Sequence, residues 1–146
     1  MPQNVITSAD QVTPEWLTAV LRQRGVLPHG WVTSVCASPA QATFASSTWR
    51  LQVGYAAGSA PAAPRLFLKA SNPGLAPGQF DMQQLQREAD FYSVVAPLMA
   101  APWTIPCYDA AWEPETGASH VLLKDVSETH VTDRDPLHPG HAEQAI

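Results

Sequence analysis

Several features that would mark a membrane, secreted or nucleic-acid-binding protein are missing from this sequence. No run approaches the roughly 18 apolar residues that a membrane-spanning helix needs. The first residues have neither a basic start nor an apolar stretch, which argues against a secretory signal. The formal net charge is −5, so a basic surface for nucleic acid is not expected. These absences favour a cytoplasmic protein whose partners are neither membranes nor nucleic acids.

The chain also lacks the paired cysteine spacing that is typical of metal and redox sites. Its two cysteines, Cys36 and Cys107, are far apart in the sequence and lie in apolar, strand-like segments. A structural disulfide is not expected in a cytosolic protein. We therefore predict two reduced, buried thiols.

Charged residues are scarce, whereas proline is abundant. Only 14% of the 146 residues are charged and 45% are hydrophobic, which suits one globular core of this length. Fourteen prolines and eight glycines indicate many short elements joined by turns.

The hydrophobic pattern predicts an α+β fold in the order helix, three strands, helix, two strands. A hydroxyl cap at Thr13, proline at position 14 and Gly25 mark the ends of the first helix. A capping-box pattern from Asp81 opens the second helix, which should end before Pro97. Strands are predicted at residues 31–37, 49–55, 65–69, 105–112 and 119–123, with a loop at 38–42 and a hairpin loop at 113–117. We expect a five-stranded antiparallel sheet packed by one main helix, plus the N-terminal helix.

Lys69 and Glu88 carry the clearest functional signal. Lys69 closes the third strand, and Glu88 lies in the second helix on the same face as Leu85, Tyr92 and Val95. A carboxylate that faces a core is costly unless a cation or hydrogen-bond donors meet it, and Lys69 is the nearest candidate. Such an ion pair positions the α- and β-phosphates of ATP in kinase folds. The simpler alternative is a solvated lysine and a glutamate at the helix edge.

The element order is that of a kinase N-terminal lobe, and the amino-acid sequence of five stretches supports this likeness. The chain resembles the aminoglycoside phosphotransferase family and its choline-kinase-like and ecdysteroid-kinase-like relatives. The stretches are residues 50–55 (RLQVGY), 66–70 (LFLKA), 87–92 (READFY), 107–110 (CYDA) and 121–127 (VLLKDVS). The resemblance runs from about Thr13 to the end but covers only the first lobe of that fold. It implies a protein-kinase-like ATP-binding lobe at residues 1–126, then a linker and the start of a truncated C-terminal lobe at 127–146.

The resemblance also implies roles around the phosphates. Lys69 would hold the α- and β-phosphates, and Glu88 would fix its ammonium group. The turn at residues 43–47 would cover the phosphates with backbone N–H groups and the hydroxyls of Ser46 and Ser47. This turn departs from the family pattern in one respect: no glycine occurs between positions 30 and 54. Close backbone approach to phosphate is easiest with glycine, so small side chains must serve instead.

The adenine would be held by a hinge that follows the last strand. The resemblance implies backbone hydrogen bonds from Leu123, Lys124 and Val126 to the base. Lys124 occupies a position where relatives often carry an acidic residue. Because the hinge contacts are made mainly by backbone groups, this change of side chain is tolerated. The alternative is a plain edge strand leaving the sheet.

The function implied is transfer of the γ-phosphoryl group of ATP to a hydroxyl of a small-molecule substrate. ATP and Mg²⁺ would be the cofactors, with the Mg²⁺ ligands and catalytic aspartate in the missing C-terminal lobe. Aminoglycosides, choline, sugars and steroid-like alcohols all remain open as acceptors. The lobe should also expose apolar surface where its partner lobe docks.

Two alternatives remain. A truncated or degenerate module would bind a nucleotide or partner without transferring phosphate, which the glycine-free turn favours. A metal site would use scattered histidines and nearby aspartates, although their spacing fits no zinc pattern. Its members would be His120, His130, His138 and His141, with Asp133 and Asp135.

Overall fold

A computed structural model describes residues 4–59, 63–72, 82–99 and 105–127. The α-helices are α1 (Pro14–Gln23) and α2 (Met82–Asp90), and the strands are β1 (Val32–Ala42), β2 (Ser46–Tyr55), β3 (Arg65–Ser71), β4 (Cys107–Trp112) and β5 (Ser119–Lys124). The predicted α+β class and element order are confirmed. The proposed cap at Asp81 and the predicted linker from residue 128 onward lie outside the described residues.

The five strands form one antiparallel sheet in the order β1-β2-β3-β5-β4. β5 is the last of these described strands in the sequence but lies inside the sheet, between β3 and β4. The hairpin between β4 and β5 closes with hydrogen bonds from Glu113 N–H to the Ala118 carbonyl and from Gly117 N–H to the Glu113 carbonyl, both 2.8 Å. Gly117 has φ of 72°, a conformation that favours glycine. The predicted antiparallel sheet and its hairpin are confirmed.

The two faces of the sheet are covered by different helices. Leu66 and Leu68 of β3 are fully buried in the main core together with Leu17 and Leu21 of α1. Phe67 belongs to a second cluster on the other face of β3, which also contains Ala110, Val121 and Leu123 and is bordered by Tyr92. Because side chains alternate along a strand, Lys69 shares the face of Phe67. This is the face on which α2 packs.

Local chemistry explains the bounds of α1. The Thr13 hydroxyl accepts a hydrogen bond from the Trp16 N–H at 3.1 Å, and Pro14 occupies the first helical position. Gly25, with φ of 73°, follows the helix and turns the chain away. These ends agree with the prediction.

β1 is longer than predicted. Residues 38–42, which the sequence suggested as a loop, continue the strand and pair with β2 as far as Ala42 opposite Ser47. The loop prediction was therefore wrong. Past Val32 the side chains of β1 are almost all exposed, because β1 is an edge strand. No apolar alternation marks such a strand, and a register shift between Pro39 and Gln41 further hides it.

The second helix changes its winding earlier than predicted. Its α-helical part ends at Asp90, a π-helical turn covers Phe91–Val95, and a 3-10 turn containing Pro97 follows. The wider π turn rotates the later residues, so Val95 is 45% exposed whereas Leu85 is buried. The expectation that Val95 shares the buried face was wrong.

Both cysteines are free thiols. Cys107 is half-buried, but Cys36 is exposed because it belongs to the outer strand β1. The prediction of two buried thiols was therefore wrong for Cys36. None of the helices in the described ranges has the length and hydropathy that a bilayer crossing requires.

Candidate functional site

Lys69 and Glu88 form an ion pair between the sheet and α2. Nζ of Lys69 lies 2.8 Å from Oε2 of Glu88, which confirms the predicted contact. The side chains are 31% and 33% exposed, so the pair is accessible from one side. Burial, with a smaller contribution from the Glu88 carboxylate, raises the pKa of Tyr92 and keeps that phenol neutral.

A cavity of about 520 Å³ opens in front of this ion pair. Its volume lies within the usual range for small-molecule sites. The lining residues are Gln41, Thr43, Ala45, Ser46, Thr48, Phe67, Lys69, Gln84, Leu85, Glu88 and Leu123. Among these described residues, only the ion pair is charged.

The cavity is apolar at one end and polar at the other. Phe67 of β3 and Leu123 of β5 are cross-strand partners, and together they form an apolar wall. Lys69 lies two positions along β3 from Phe67, toward the turn between β1 and β2. At that end the lining comes from hydroxyl-bearing residues, Thr43, Ser46 and Thr48. A ligand with a flat apolar part and an anionic part would match this layout.

The two serines predicted to cover phosphates are on opposite faces. Ser46 is buried and lines the cavity, and its N–H donates to the Thr43 hydroxyl at 3.1 Å. Ser47 faces the other side, where its hydroxyl donates to Oδ1 of Asn72 at 2.6 Å. The structure therefore brings Ser46, but not Ser47, to the cavity.

The alternative to the predicted hinge, a plain edge strand, is wrong, because β5 has neighbours on both sides. Leu123 contributes its side chain to the cavity. The N–H of Lys124 donates to the Pro106 carbonyl at 2.9 Å, and the N–H of Asp125 donates to the Arg65 carbonyl at 3.2 Å. Any contact between the hinge and a base must therefore use other groups. Val126 lies two residues beyond β5 and does not line the cavity that the described residues form.

Sequence reasoning missed a buried pair on the opposite face of the sheet. Nε2 of His120 lies 2.7 Å from Oδ2 of Asp109. The N–H of Ile6 donates to Nδ1 of the same ring at 3.0 Å, so the ring proton is on Nε2 and is donated to the carboxylate. His120 is 1% exposed. The pair ties the N-terminal segment to β4 and β5.

This pairing bears on the metal alternative. His120 is fully engaged by Asp109 and Ile6, and the other three histidines of that alternative lie outside the described residues. Within the part of the chain that the structure describes, no group of three or more His, Cys, Asp or Glu side chains could hold a metal ion.

Neither protein-family models nor curated proteins nor solved structures match this chain.

Proposed function

We propose that this chain is the ATP-binding lobe of a small-molecule kinase that resembles the aminoglycoside phosphotransferases. The reaction would transfer the γ-phosphoryl group of ATP to a hydroxyl of the substrate. The observation that carries the proposal is the 2.8 Å ion pair between Lys69 and Glu88 at the wall of a nucleotide-sized cavity. Kinase folds use the same combination of strand lysine and helix glutamate to position ATP.

The chemistry of the pair supports this role. A lysine ammonium group has three N–H donors, and the Glu88 carboxylate occupies one of them. No other acceptor among the described residues meets this ammonium group, so its remaining donors can meet phosphate oxygens while the carboxylate keeps the side chain extended toward the cavity. The apolar wall of Phe67 and Leu123 suits a planar base at the other end.

A kinase lobe needs a partner that completes the reaction. The proposal assigns the Mg²⁺ ligands and the catalytic aspartate to the C-terminal lobe, as the resemblance implies. Exposed apolar side chains after α2 suit the docking of a further body. They are Val94, Val95, Leu98 and Met99.

Affinity labelling with an acyl phosphate of ATP tests the proposal on this chain. Such a reagent acylates a lysine amine near the phosphates, breaking the mixed anhydride and releasing the nucleotide. The chain contains two lysines, so peptide mapping separates Lys69 from Lys124. Lys124 has an exposed side chain outside the cavity and serves as the internal control. We expect rapid labelling of Lys69 that excess ATP suppresses, whereas equal labelling without protection would remove ATP from the proposal.

A truncated or degenerate non-catalytic module that binds a nucleotide or a partner is the second candidate, favoured by the glycine-free turn at residues 43–47. It predicts the same labelling but no phosphoryl transfer. The downstream reading frame separates the two. A continuation with a His-x-Asp loop and a later Mg²⁺-binding aspartate supports the kinase, and its absence supports the module.

A further inference from the structure

Asn72, just past the end of β3, donates three hydrogen bonds to the turn between β1 and β2. Nδ2 of Asn72 donates to the Thr43 carbonyl at 2.7 Å and to the Phe44 carbonyl at 3.0 Å. The backbone N–H of Asn72 donates to the Ala45 carbonyl at 2.8 Å. Three successive carbonyl groups of the turn are therefore directed toward a single residue.

This arrangement also fixes where the N–H groups of the turn point. In a trans peptide the carbonyl and the following N–H lie on opposite sides, so the N–H groups of Phe44, Ala45 and Ser46 face away from Asn72. Ser46 N–H is used by the Thr43 hydroxyl. Within the described residues, no acceptor meets the N–H of Phe44 or Ala45. Two adjacent donors thus face away from Asn72, in a turn whose Thr43 and Ala45 form part of the cavity lining.

Asn72 is itself fixed in orientation. Its Oδ1 accepts from the Ser47 hydroxyl at 2.6 Å, which leaves Nδ2 to face the carbonyls. Asn72 follows Lys69 by three residues in the same stretch of chain, just past the end of β3. The same stretch of chain, β3 and the residue that follows it, therefore positions both the turn and Lys69.

We propose that Asn72 is a positioning residue for phosphate recognition. By drawing the carbonyls of the turn to one side, it leaves the N–H groups of Phe44 and Ala45 free to bind phosphate oxygens beside Lys69. Successive backbone N–H groups in a turn conformation form anion-binding concavities. The side-chain amide thereby gives a glycine-free turn the donor geometry that glycine-rich turns reach through backbone freedom. The inference rests on the proposed function, since it names how the same cavity holds the phosphates of ATP.

Calorimetric titration of Asn72→Leu with ATP and with adenosine tests the inference. Leucine matches the size of asparagine but removes both side-chain donors. We expect the Kd for ATP to rise about tenfold, because hydrogen bonds to charged groups are strong, while the Kd for adenosine changes less than twofold. Gln52→Leu, the same kind of change at an exposed position of β2, should leave both values unaltered. Ser47→Ala removes the hydroxyl that orients Asn72 and should raise the Kd for ATP two- to threefold. This variant replaces Asn72→Leu in the test if Asn72→Leu does not fold.

Amide resonances give a direct readout of the turn. In ¹⁵N-labelled wild-type chain, tripolyphosphate should shift the Phe44 and Ala45 resonances, and Asn72→Leu should lose those shifts. If wild type binds ATP and Asn72→Leu binds it with the same Kd, this inference is overturned but the proposed function is not. An equal loss of ATP and adenosine binding would also overturn it, since the effect would not concern phosphate. A wild-type chain that binds neither ATP nor tripolyphosphate would overturn the proposed function as well.

Discussion

Lys69 and Glu88 are 19 positions apart in the chain, yet their charged atoms lie 2.8 Å apart. Each side chain is about one-third exposed. Ion pairs that water reaches in this way typically add about 0–1 kcal/mol to stability. The pair is therefore a weak stabiliser of the fold.

Lys69→Met and Glu88→Gln should separate binding from stability. We expect each variant to lower the free energy of unfolding by less than about 1 kcal/mol, because the pair is partly exposed. Lys69→Met should abolish detectable ATP binding, and Glu88→Gln should raise the Kd for ATP about tenfold. Urea unfolding and calorimetric titration measure the two effects. Glu15→Gln, at an exposed position of α1, is the matched control, and intact ATP affinity in both site variants would contradict the assignment.

The buried pair of His120 and Asp109 should matter for stability instead. His120→Ala leaves the Asp109 carboxylate buried without the donor that it meets at 2.7 Å. Taking a hydrogen-bond donor away from a buried carboxylate costs about 3 kcal/mol. Asp109→Asn should cost far less, because the amide oxygen still accepts from the ring N–H. Denaturant unfolding compares the two variants, and equal losses would argue against the tautomer assigned to His120.

The two thiols should differ in reactivity. Cys36 is exposed, whereas burial raises the pKa of the Cys107 thiol to about 11. Because the thiolate is the nucleophile, iodoacetamide at neutral pH should alkylate Cys36 in the folded chain and spare Cys107. Mass spectrometry of the peptides reads the result. In urea both cysteines should react, and rapid labelling of Cys107 in the folded protein would contradict its burial.

The raised pKa of the Cys107 thiol leads us to expect a loss of stability in alkali. Its ordinary pKa is 9.0, and burial raises this to about 11 in the folded chain. Since the unfolded chain loses the proton first, the stabilising effect is complete below pH 9 and declines as the pH rises toward 11. We expect the melting temperature of wild type to fall over this interval. The melting temperature of Cys107→Ala should fall less steeply with pH. Parallel curves of melting temperature against pH for the two proteins would exclude the thiol as the cause.

Two glycines with similar backbone angles should respond differently to alanine. Gly25 and Gly30 have φ of 73° and 90°, where a side chain is strained. A Cβ at Gly25 would meet open space, whereas one at Gly30 would overlap the Ser59 side chain. We expect Gly25→Ala to cost about 1 kcal/mol and Gly30→Ala about 3 kcal/mol, since strain and overpacking add at the second site. Thermal unfolding of both variants checks this order.

Where sequence prediction succeeded, a regular period carried the signal. The alternation of Leu51 and Val53 marked β2, and the three- and four-residue steps of α2 aligned Leu85 with Glu88. Those local patterns were enough to bring Glu88 toward Lys69. Where the period failed, prediction failed with it, as in the exposed half of β1 and the π turn that displaces Val95.

The remaining contacts depend on register that no local pattern gives. His120 meets Asp109 across a hairpin whose pairing shifts by one residue between Cys107 and Asp109. Asn72 reaches the turn at residues 43–46 from a stretch that reads, in sequence, as a plain loop. Both are polar side chains whose partners lie in other elements. Their roles emerge only when the strands are paired.

The interior position of β5 has a consequence for biosynthesis. While the ribosome is still making residues 119–124, β3 has one unpaired edge and β4 has no partner among the strands that the structure describes. The sheet that carries Lys69 is therefore completed in one late step, by insertion rather than by addition at a rim. A nascent chain that stalls before Ser119 would present an open strand edge to chaperones and to other unfinished chains.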